Sequence, residues 1–261
     1  MNAEVRLERL TGADQGISLI RMNRPSRKNS LGKVFMVQFR QILDDIKFDK
    51  ETKVVILKSD IPGTFCTGAD LKERKEMSTD EVPKFVDSLR SSFTDMERLP
   101  QPVIAAIDGF ALGGGLEMAL CCDIRVASKK STLGLVETKW ALLPGAGGSQ
   151  RLARLIGPAK AKELIFTARM FDGDAAERLG VVNHVAEDAF EKSLQIAREI
   201  IPRGPIAVRM AKVAINLGIQ TDITSGLSVE QQCYAQIVPT KDRLEGLKAF
   251  AEKRQPVYKG E

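Results

Sequence analysis

Residues 103–127 read VIAAIDGFALGGGLEMALCCDIRVA, and their pattern indicates the class of fold. Its apolar start, Val103–Ile107, predicts a buried strand, and the glycine-rich segment after it predicts a turn. Residues Leu116–Cys122 then predict a helix, and Asp123–Ala127 predicts a second strand. Strands that alternate with helices in this way indicate an α/β protein.

The same criteria predict further elements toward the N-terminus. They are a hairpin of strands Glu4–Leu10 and Ile17–Met22, a helix Leu31–Ile46 capped by Asn29 or Ser30, a buried strand Lys53–Lys58 and, after a loop at Ser59–Gly68, a helix Thr79–Arg98.

Helical patterns dominate the chain after Gln150. They cover Ala159–Thr167, Asp174–Leu179, Ala189–Ile201, Pro205–Leu217, Ser225–Ile237 and Arg243–Lys253, and the one strand candidate among them is Val181–Val185. The change in pattern predicts an α/β core over residues 1–195 that holds the site, and a helical C-terminal region over residues 196–261.

The composition narrows the class of protein. A chain of 261 residues with 43% hydrophobic residues buries a sufficient core without a metal or a disulfide. Thirty-nine Lys and Arg against 34 Asp and Glu give a net charge of +5, which suits an anionic small molecule. With this mild charge, one Trp and two Tyr, the sequence argues against RNA binding.

Several classes of site are disfavoured. The four cysteines lack a CxxC spacing, which indicates a reducing compartment, and a single histidine, His184, argues against a metal site. The apolar run 103–124 contains Asp108 and Glu117, whereas a membrane span needs about twenty nearly uncharged residues. The first residues, Met1–Glu4, resemble neither a signal peptide nor a transit peptide.

Three glycine-bearing loops are the candidate functional segments. They are residues 65–70, residues 108–117, and residues 135–137 together with 144–148. Consecutive glycines at the start of a helix allow close approach to free N–H groups, where the helix dipole favours negative charge. The alternative is that these glycines only permit tight packing of a helix on a strand. Neither a dinucleotide-binding nor a phosphate-loop motif is present.

The motifs in these loops resemble the enoyl-CoA hydratase/isomerase (crotonase) superfamily. The matching stretches are Phe65-x-x-Gly68-Ala69-Asp70-Leu71-Lys72-Glu73, Ala105-Ala106-Ile107-Asp108-Gly109-x-Ala111-x-Gly113-Gly114-Gly115-x-Glu117, Gly134-x-x-Glu137 and Pro144-Gly145-Ala146-Gly147-Gly148-Ser149-Gln150-Arg151-Leu152. The resemblance extends over nearly the whole chain. Within the superfamily, the sequence is most similar to the branch of methylglutaconyl-CoA hydratases and enoyl-CoA hydratase domain-containing proteins.

The resemblance implies a spiral of ββα repeats with C-terminal helices that mediate trimerisation. It implies a hydro-lyase that adds water to a short-chain or branched 2-enoyl-CoA, with 3-methylglutaconyl-CoA as one candidate. The N–H groups of Ala69 and Gly114 would form an oxyanion hole, and Glu117 and Glu137 would act as acid and base. The alternatives are an isomerase or decarboxylase of the same superfamily, or a CoA- or RNA-binding protein with little catalysis.

The resemblance also implies contacts to coenzyme A, which is part of the substrate, so that no separate cofactor is expected. The implied CoA-binding residues are Arg27, Lys28, Thr67, Asp70, Leu71, Phe250 and Lys253. Arg27 and Lys28 are alternatively a solvated basic loop, and Phe250 is alternatively on the apolar face of the last helix. Trp140 is predicted to fill the core rather than to narrow the acyl pocket.

The family resemblance further implies a homo-oligomer, either a trimer or a dimer of trimers. It implies the mitochondrial matrix if the protein is eukaryotic, with a transit peptide absent from this sequence, and otherwise the cytoplasm.

Overall fold

Two sheets form the frame of the molecule, as seen in a computed structural model that describes residues 3–261. Met1 and Asn2, which entered the interpretation of the N-terminus, lie outside the described residues. The strands are β1 (Val5–Arg9), β2 (Ile17–Met22), β3 (Val54–Ser59), β4 (Thr64–Cys66), β5 (Val103–Ile107), β6 (Phe110–Leu112), β7 (Ile124–Ser128), β8 (Thr132–Gly134), β9 (Phe171–Asp172) and β10 (His184–Ala186).

Helices follow most of these strands and cover the sheets. They are α1 (Lys33–Lys47), α2 (Leu71–Glu76), α3 (Glu81–Glu97), α4 (Gly114–Leu120), α5 (Gly148–Ile156), α6 (Pro158–Phe166), α7 (Gly173–Leu179), α8 (Ala189–Ile200), α9 (Pro205–Gly218), α10 (Ile223–Ile237) and α11 (Lys241–Ala251).

The central part of the chain repeats one unit of two strands and a helical segment. In each unit the first strand joins the larger sheet, whose order is β1-β2-β3-β5-β7-β10, and the second joins the smaller sheet, whose order is β4-β6-β8-β9. The pairs β3/β5, β5/β7, β4/β6 and β6/β8 are all parallel, so successive units stack with the same direction. This arrangement confirms the predicted α/β class and the expected spiral.

The central strands β3 and β5 of the larger sheet are buried on both faces over their apolar residues, which explains why these residues form continuous apolar runs. Side chains alternate along β3: Val55 and Leu57 belong to the main core beneath α1 and α3, whereas Val54 and Ile56 pack in a second cluster with α8. Because α8 begins at Ala189 and ends at Ile200, the boundary expected at residue 195 falls inside this helix.

The cap of α1 differs from the sequence prediction. The helix begins after Gly32, and the Lys33 N–H donates to a carboxylate oxygen of Glu73 at 2.9 Å. Asn29 is instead buried, where its side-chain amide donates to Ser59 Oγ and to the Phe65 carbonyl. Asn29 or Ser30 as the N-cap was therefore wrong, because these residues fix the loop that precedes the helix.

Four short strands were missed by the sequence analysis. β4, β6 and β8 have three residues each and β9 has two, which is too few for a periodic pattern. β4 lies in the segment predicted as a loop, and β6 lies in the segment predicted as a glycine turn. The short helix α2 was also missed, and β10 begins three residues later than the strand predicted at residue 181.

The C-terminal helices join the core through a few polar contacts and leave many apolar side chains exposed. Lys212 on α9 donates to Asp123 at 2.7 Å and to the Gln101 carbonyl at 3.0 Å. The exposed apolar residues on α9, α10 and α11 include Ile215, Leu217, Ile223, Leu227, Tyr234, Leu244, Leu247 and Phe250. No helix in residues 3–261 has the length and apolar character needed to cross a membrane.

Candidate active site

Glycines at the start of α4 allow the backbone of neighbouring segments to lie close to the helix. Gly113 has a φ of +53°, which favours glycine, and a Cβ on Gly115 would lie 2.2 Å from the Cys66 carbonyl oxygen. Gly114 is the first residue of α4, so its N–H is one of those that have no acceptor within the helix. Gly114 also lines the cavity described below, so this N–H is available to a group bound there.

Ala69 places a second N–H beside that of Gly114. Leu31 and Ala69 form a parallel bridge, in which the Leu31 N–H donates to the Gly68 carbonyl and the Asp70 N–H donates to the Leu31 carbonyl. In such a bridge the N–H of the central residue, Ala69, points to the opposite side. A Cβ built on Gly114 would lie 3.7 Å from the Ala69 nitrogen, so the two predicted donors are neighbours.

Glu117 lies in the first turn of α4 and its side chain is buried, with 4% relative exposure. One carboxylate oxygen accepts hydrogen bonds from the N–H of Ala146 at 2.9 Å and the N–H of Gly148 at 2.8 Å. Burial raises the pKa of Glu117, and these two hydrogen bonds act in the opposite direction. The loop before α5 thus supplies two hydrogen bonds that favour the ionised form of Glu117, against the larger effect of its burial.

Glu137 begins the 3-10 turn Glu137–Trp140, and no group in residues 3–261 donates a hydrogen bond to its carboxyl oxygens, although both are buried. A Cβ on Gly113 would lie 3.3 Å from Glu137 Oε1, so this carboxyl group lies against the start of α4. Burial, and secondarily the charge of Glu117, raises the pKa of Glu137 to about 7. At neutral pH it therefore retains a proton in a substantial fraction of molecules.

The two glutamates and the two N–H groups line one cavity of about 130 Å³. Its lining residues are Thr67, Gly68, Ala69, Leu71, Arg74, Val86, Leu89, Gly113, Gly114, Glu117, Val136, Glu137, Trp140, Leu142, Leu143, Gly145 and Ala146. An oxyanion-binding pair of N–H groups and two carboxyl groups can stabilise a developing enolate and move two protons.

Loop 25–28 and the segment 67–71 meet beside the cavity. The Thr67 N–H and hydroxyl both donate to the Lys28 carbonyl, at 3.3 and 3.2 Å, and Arg27 Nε lies 3.9 Å from a carboxylate oxygen of Asp70. Leu71 is about half exposed at the cavity. The structure thus brings together five of the seven residues that the resemblance implied for coenzyme A.

The Asp70 side chain already has several partners within the protein. It caps α2 by accepting from the N–H groups of Lys72 and Glu73, and it pairs with Arg24 at 2.9 Å. Its carboxylate is buried, with 4% side-chain exposure in the ion pair with Arg24, and these contacts lower its pKa against the effect of burial. The Asp70 side chain therefore holds the start of α2 and the Arg24 guanidinium in place.

Phe250 and Lys253 are not brought to the cavity of this chain. Phe250 lies near the end of α11 with 87% exposure, and neither residue lines the cavity. Trp140 also differs from expectation: it is 59% exposed and lies at the cavity beside Glu137, so its prediction as a core residue was wrong. The 3-10 turn that contains Trp140 ends with Ala141 at a φ of +55°.

Sequence reasoning missed two features of this site. The first is that Glu117 accepts hydrogen bonds from the N–H groups of Ala146 and Gly148. The only signal of these contacts in the sequence is the glycine-rich segment before α5. Arg74 lies on α2, which was not predicted, although Asp70 followed by Glu73 at the third position is a helix-start signature. In residues 3–261, His, Cys, Asp and Glu side chains do not form a cluster of three or more that could hold a metal ion.

The spiral fold, the paired N–H groups and the paired carboxyl groups are together typical of enzymes that stabilise an enolate. Comparison of the sequence with known families shows which family this is. A sequence model of the family described as enoyl-CoA hydratase/isomerase matches residues 12–261, and the chain belongs to this family.

Individual relatives are similar over almost the full chain. The chain is 52% identical to methylglutaconyl-CoA hydratase, mitochondrial, of Homo sapiens, a match that covers 99% of this chain and 78% of the relative. It is 52% identical to enoyl-CoA hydratase domain-containing protein 2, mitochondrial, of Bos taurus, with 99% and 89% covered. The crystal structure of an enoyl-CoA hydratase from Bacillus anthracis superposes with a TM-score of 0.95 at 46% identity, covering 99% and 100%. These matches confirm the crotonase-like fold.

Proposed function

We propose that this protein is a hydro-lyase that adds water across the 2,3 double bond of a 2-enoyl-CoA thioester. The observation that carries the proposal is the pair of buried carboxyl groups, Glu117 and Glu137, which face one cavity beside the neighbouring N–H groups of Ala69 and Gly114. The similarity to proteins named as hydratases supports the same reaction.

The N–H groups of Ala69 and Gly114 receive the thioester oxygen. When water attacks C3, negative charge moves onto this oxygen, and two preorganised donors stabilise it. One donor of this kind contributes about 2.7–4 kcal/mol to transition-state stabilisation. The start of α4 adds the positive end of a helix dipole at the same place.

The two glutamates have different roles because their surroundings differ. Glu117 accepts two backbone hydrogen bonds, which favour its ionised form, so it takes a proton from the attacking water. Glu137, whose pKa is about 7, holds the proton that is delivered to C2. The water oxygen bonds to C3, one proton moves to Glu117 and one leaves Glu137, and exchange of a proton with solvent restores the pair.

The substrate is proposed to have a short or branched acyl group. The cavity volume of about 130 Å³ is well below the 300–1,000 Å³ of pockets that bury drug-sized ligands. The name of the human relative makes 3-methylglutaconyl-CoA one candidate. Coenzyme A enters as part of the substrate, with Arg27 and Lys28 near its phosphates and Thr67 and Leu71 along its chain.

Assembly is proposed to complete the CoA site. The exposed apolar side chains of α9, α10 and α11 form a surface of the kind that marks protein association, and we assign the helical region 196–261 to a trimer or a dimer of trimers. Phe250 and Lys253 would then reach coenzyme A of a neighbouring subunit. The mitochondrial relatives support the matrix if the source is eukaryotic, and the bacterial relative supports the cytoplasm otherwise.

The decisive experiment follows the loss of conjugated enoyl-thioester absorbance with crotonyl-CoA and 3-methylglutaconyl-CoA. The native protein should hydrate at least one of them, and Glu117→Gln and Glu137→Gln should each lose most of this activity. Glu51→Gln is the control, because Glu51 is exposed and its side chain forms no ion pair in residues 3–261. Binding of the thioester without loss of absorbance would contradict hydration and favour an isomerase, a decarboxylase or a binding protein.

A further inference from the structure

Arg90 contacts the loop that binds Glu117, although it is not among the described residues that line the cavity. Arg90 lies on α3, and its Nε and Nη2 both donate to the Gly145 carbonyl, at 3.1 and 2.9 Å. The next N–H along the chain, that of Ala146, donates to Glu117 at 2.9 Å. One peptide group therefore joins the Arg90 guanidinium to the Glu117 carboxylate.

The geometry of this peptide group couples its two ends. A peptide group is planar, and every peptide bond in residues 3–261 is trans, so the Gly145 carbonyl and the Ala146 N–H point in opposite directions. A guanidinium that fixes the position of the carbonyl oxygen thus also fixes the direction of the N–H. Its positive charge polarises the peptide group as well, which makes the N–H a stronger donor.

The loop before α5 needs contacts of this kind because its own sequence does not restrain it. Three of its five residues are glycines, at positions 145, 147 and 148, and glycine adopts many backbone conformations. Arg151 on α5 also contacts the loop, but its Nη1 lies 3.4 Å from the Ala146 carbonyl. The two shorter hydrogen bonds from Arg90 are therefore the stronger restraint on the Gly145–Ala146 peptide.

The other partner of Arg90 is a weak one. Asp87, one turn earlier on α3, lies 3.6 Å from its Nη1, and the Asp87 side chain is 72% exposed. Ion pairs between exposed side chains contribute little to stability. The Gly145 carbonyl, rather than Asp87, thus sets the position of the Arg90 guanidinium.

Arg90 is also one of the few cations near Glu117. The titratable and charged groups around this carboxyl group are Arg74 on α2, Arg90 and Glu97 on α3, Cys121 on α4, Glu137 in the 3-10 turn and Arg151 on α5. Burial raises the pKa of Glu117, whereas the two backbone hydrogen bonds and then the charges of Arg151 and Arg90 lower it. The charge of Arg151 is offset by Glu97 at 2.7 Å.

We propose that Arg90 is a positioning residue of the proposed active site, whose guanidinium holds the Gly145–Ala146 peptide so that its N–H is directed at the Glu117 carboxylate. The proposal rests on the proposed function, in which Glu117 takes a proton from water. Arg90 itself touches neither substrate nor water in this account, and it acts from the outer side of the loop.

The titration of Glu117 tests the proposal without substrate. In a Glu137→Gln background, Glu117 is the one carboxyl group among the described residues that line the cavity. The infrared C=O band that differs between this protein and Glu117→Gln/Glu137→Gln therefore belongs to Glu117. Adding Arg90→Met should raise the pKa of Glu117 by about 0.5–1, because the ionised form loses a cation and a well-directed donor. Arg90→Lys keeps the charge without the forked donor and should give a smaller rise.

Lys84→Met is the matched control, because it removes a positive charge from another exposed residue of α3. It should leave the titration of Glu117 unchanged. The Arg90 side chain is 53% exposed, so its replacement should leave the core intact, and circular dichroism checks this. If Arg90→Met fails to fold, the titration in Arg90→Lys decides. An unchanged pKa of Glu117 in the folded Arg90 variants, or an equal rise in Lys84→Met, would overturn the proposal.

Turnover of the substrate that the native protein hydrates provides the second measurement. Arg90→Met should lower kcat about tenfold and change KM little, because the base is misplaced and the binding surface is intact. The fall of kcat/KM at low pH, where Glu117 takes up a proton, should move to higher pH. A rise in KM alone would mean that Arg90 binds substrate directly, which also overturns the proposal. A native protein without turnover, but with the shifted Glu117 titration in Arg90→Met, would count against hydration and leave the positioning by Arg90 standing.

Discussion

Replacing Glu137 by glutamine should stabilise the folded protein, and the gain should increase with pH. The pKa of Glu137 is raised from 4.5 to about 7 in the folded state by burial and by the charge of Glu117. Between these two values the folded state binds more protons than the unfolded state, so the free energy of unfolding falls as pH rises through this window. Glutamine does not titrate and lacks this dependence.

The magnitude follows from the same two values. A tenfold change in a proton equilibrium is about 1.36 kcal/mol, so ionisation of Glu137 costs the native protein up to about 3 kcal/mol above pH 7. At pH 5 most of this cost is absent. The difference in stability between Glu137→Gln and the native protein should therefore be about 2–3 kcal/mol larger at pH 8 than at pH 5.

Denaturant unfolding followed by circular dichroism measures this difference. Protein concentration must be the same at both pH values, because association of subunits changes the apparent stability. Glu51→Gln provides the control for a carboxyl group on the surface, and its curves should follow those of the native protein. A difference between Glu137→Gln and the native protein that is independent of pH, or that shrinks as pH rises, would refute the account of Glu137 as a desolvated, unpaired carboxyl group.

Three further predictions concern the same site. The kcat/KM for crotonyl-CoA should fall above about pH 7, approaching tenfold for each further pH unit, because Glu137 loses the proton that C2 requires; a flat profile from pH 6 to 9 would contradict this role. Gly148→Ala should lower kcat about tenfold or more, because the added Cβ would lie 2.9 Å from Glu117 Cγ and displace this side chain. Gly204→Ala is the control and should leave kcat unchanged, because its added Cβ would have its nearest neighbour at 3.8 Å. Asp70→Ala should destabilise the protein by about 2 kcal/mol in thermal or denaturant unfolding, because α2 loses its cap and Arg24 loses one of its partners; an unchanged midpoint would count against this.

The longer elements could be predicted from the sequence because their patterns are long enough to identify. The apolar runs of β3 and β5 and the amphipathic pattern of α1 were found within one or two residues. The strands of the smaller sheet could not be found, because three residues carry no period and their pairing partners are far away along the chain. The N-cap of α1 was missed for a related reason, since its stabilising carboxylate comes from Glu73.

The sequence predicted which residues form the candidate site, but it did not predict how the surroundings of the two glutamates differ. The motifs singled out Ala69, Gly114, Glu117 and Glu137, and the structure places all four at one cavity. The contrast between the two glutamates depends on hydrogen bonds from the loop before α5, which no local pattern specifies. The exposure of Trp140 was likewise not specified by its local sequence pattern. The catalytic roles of these residues remain predictions for the variants described above.

The repeated unit of two strands and a helical segment divides the chemistry of the site among successive turns of the spiral. Ala69 follows β4, Gly114 follows β6 and Glu137 follows β8, each two or three residues after its strand ends. One turn therefore supplies one donor, the next supplies the other donor together with Glu117, and the third supplies Glu137. A change of sequence in one of these loops alters only the components that this loop supplies and leaves the stacked strands intact. Exchange of one loop between members of the family is thus a route to new reactions on an unchanged scaffold.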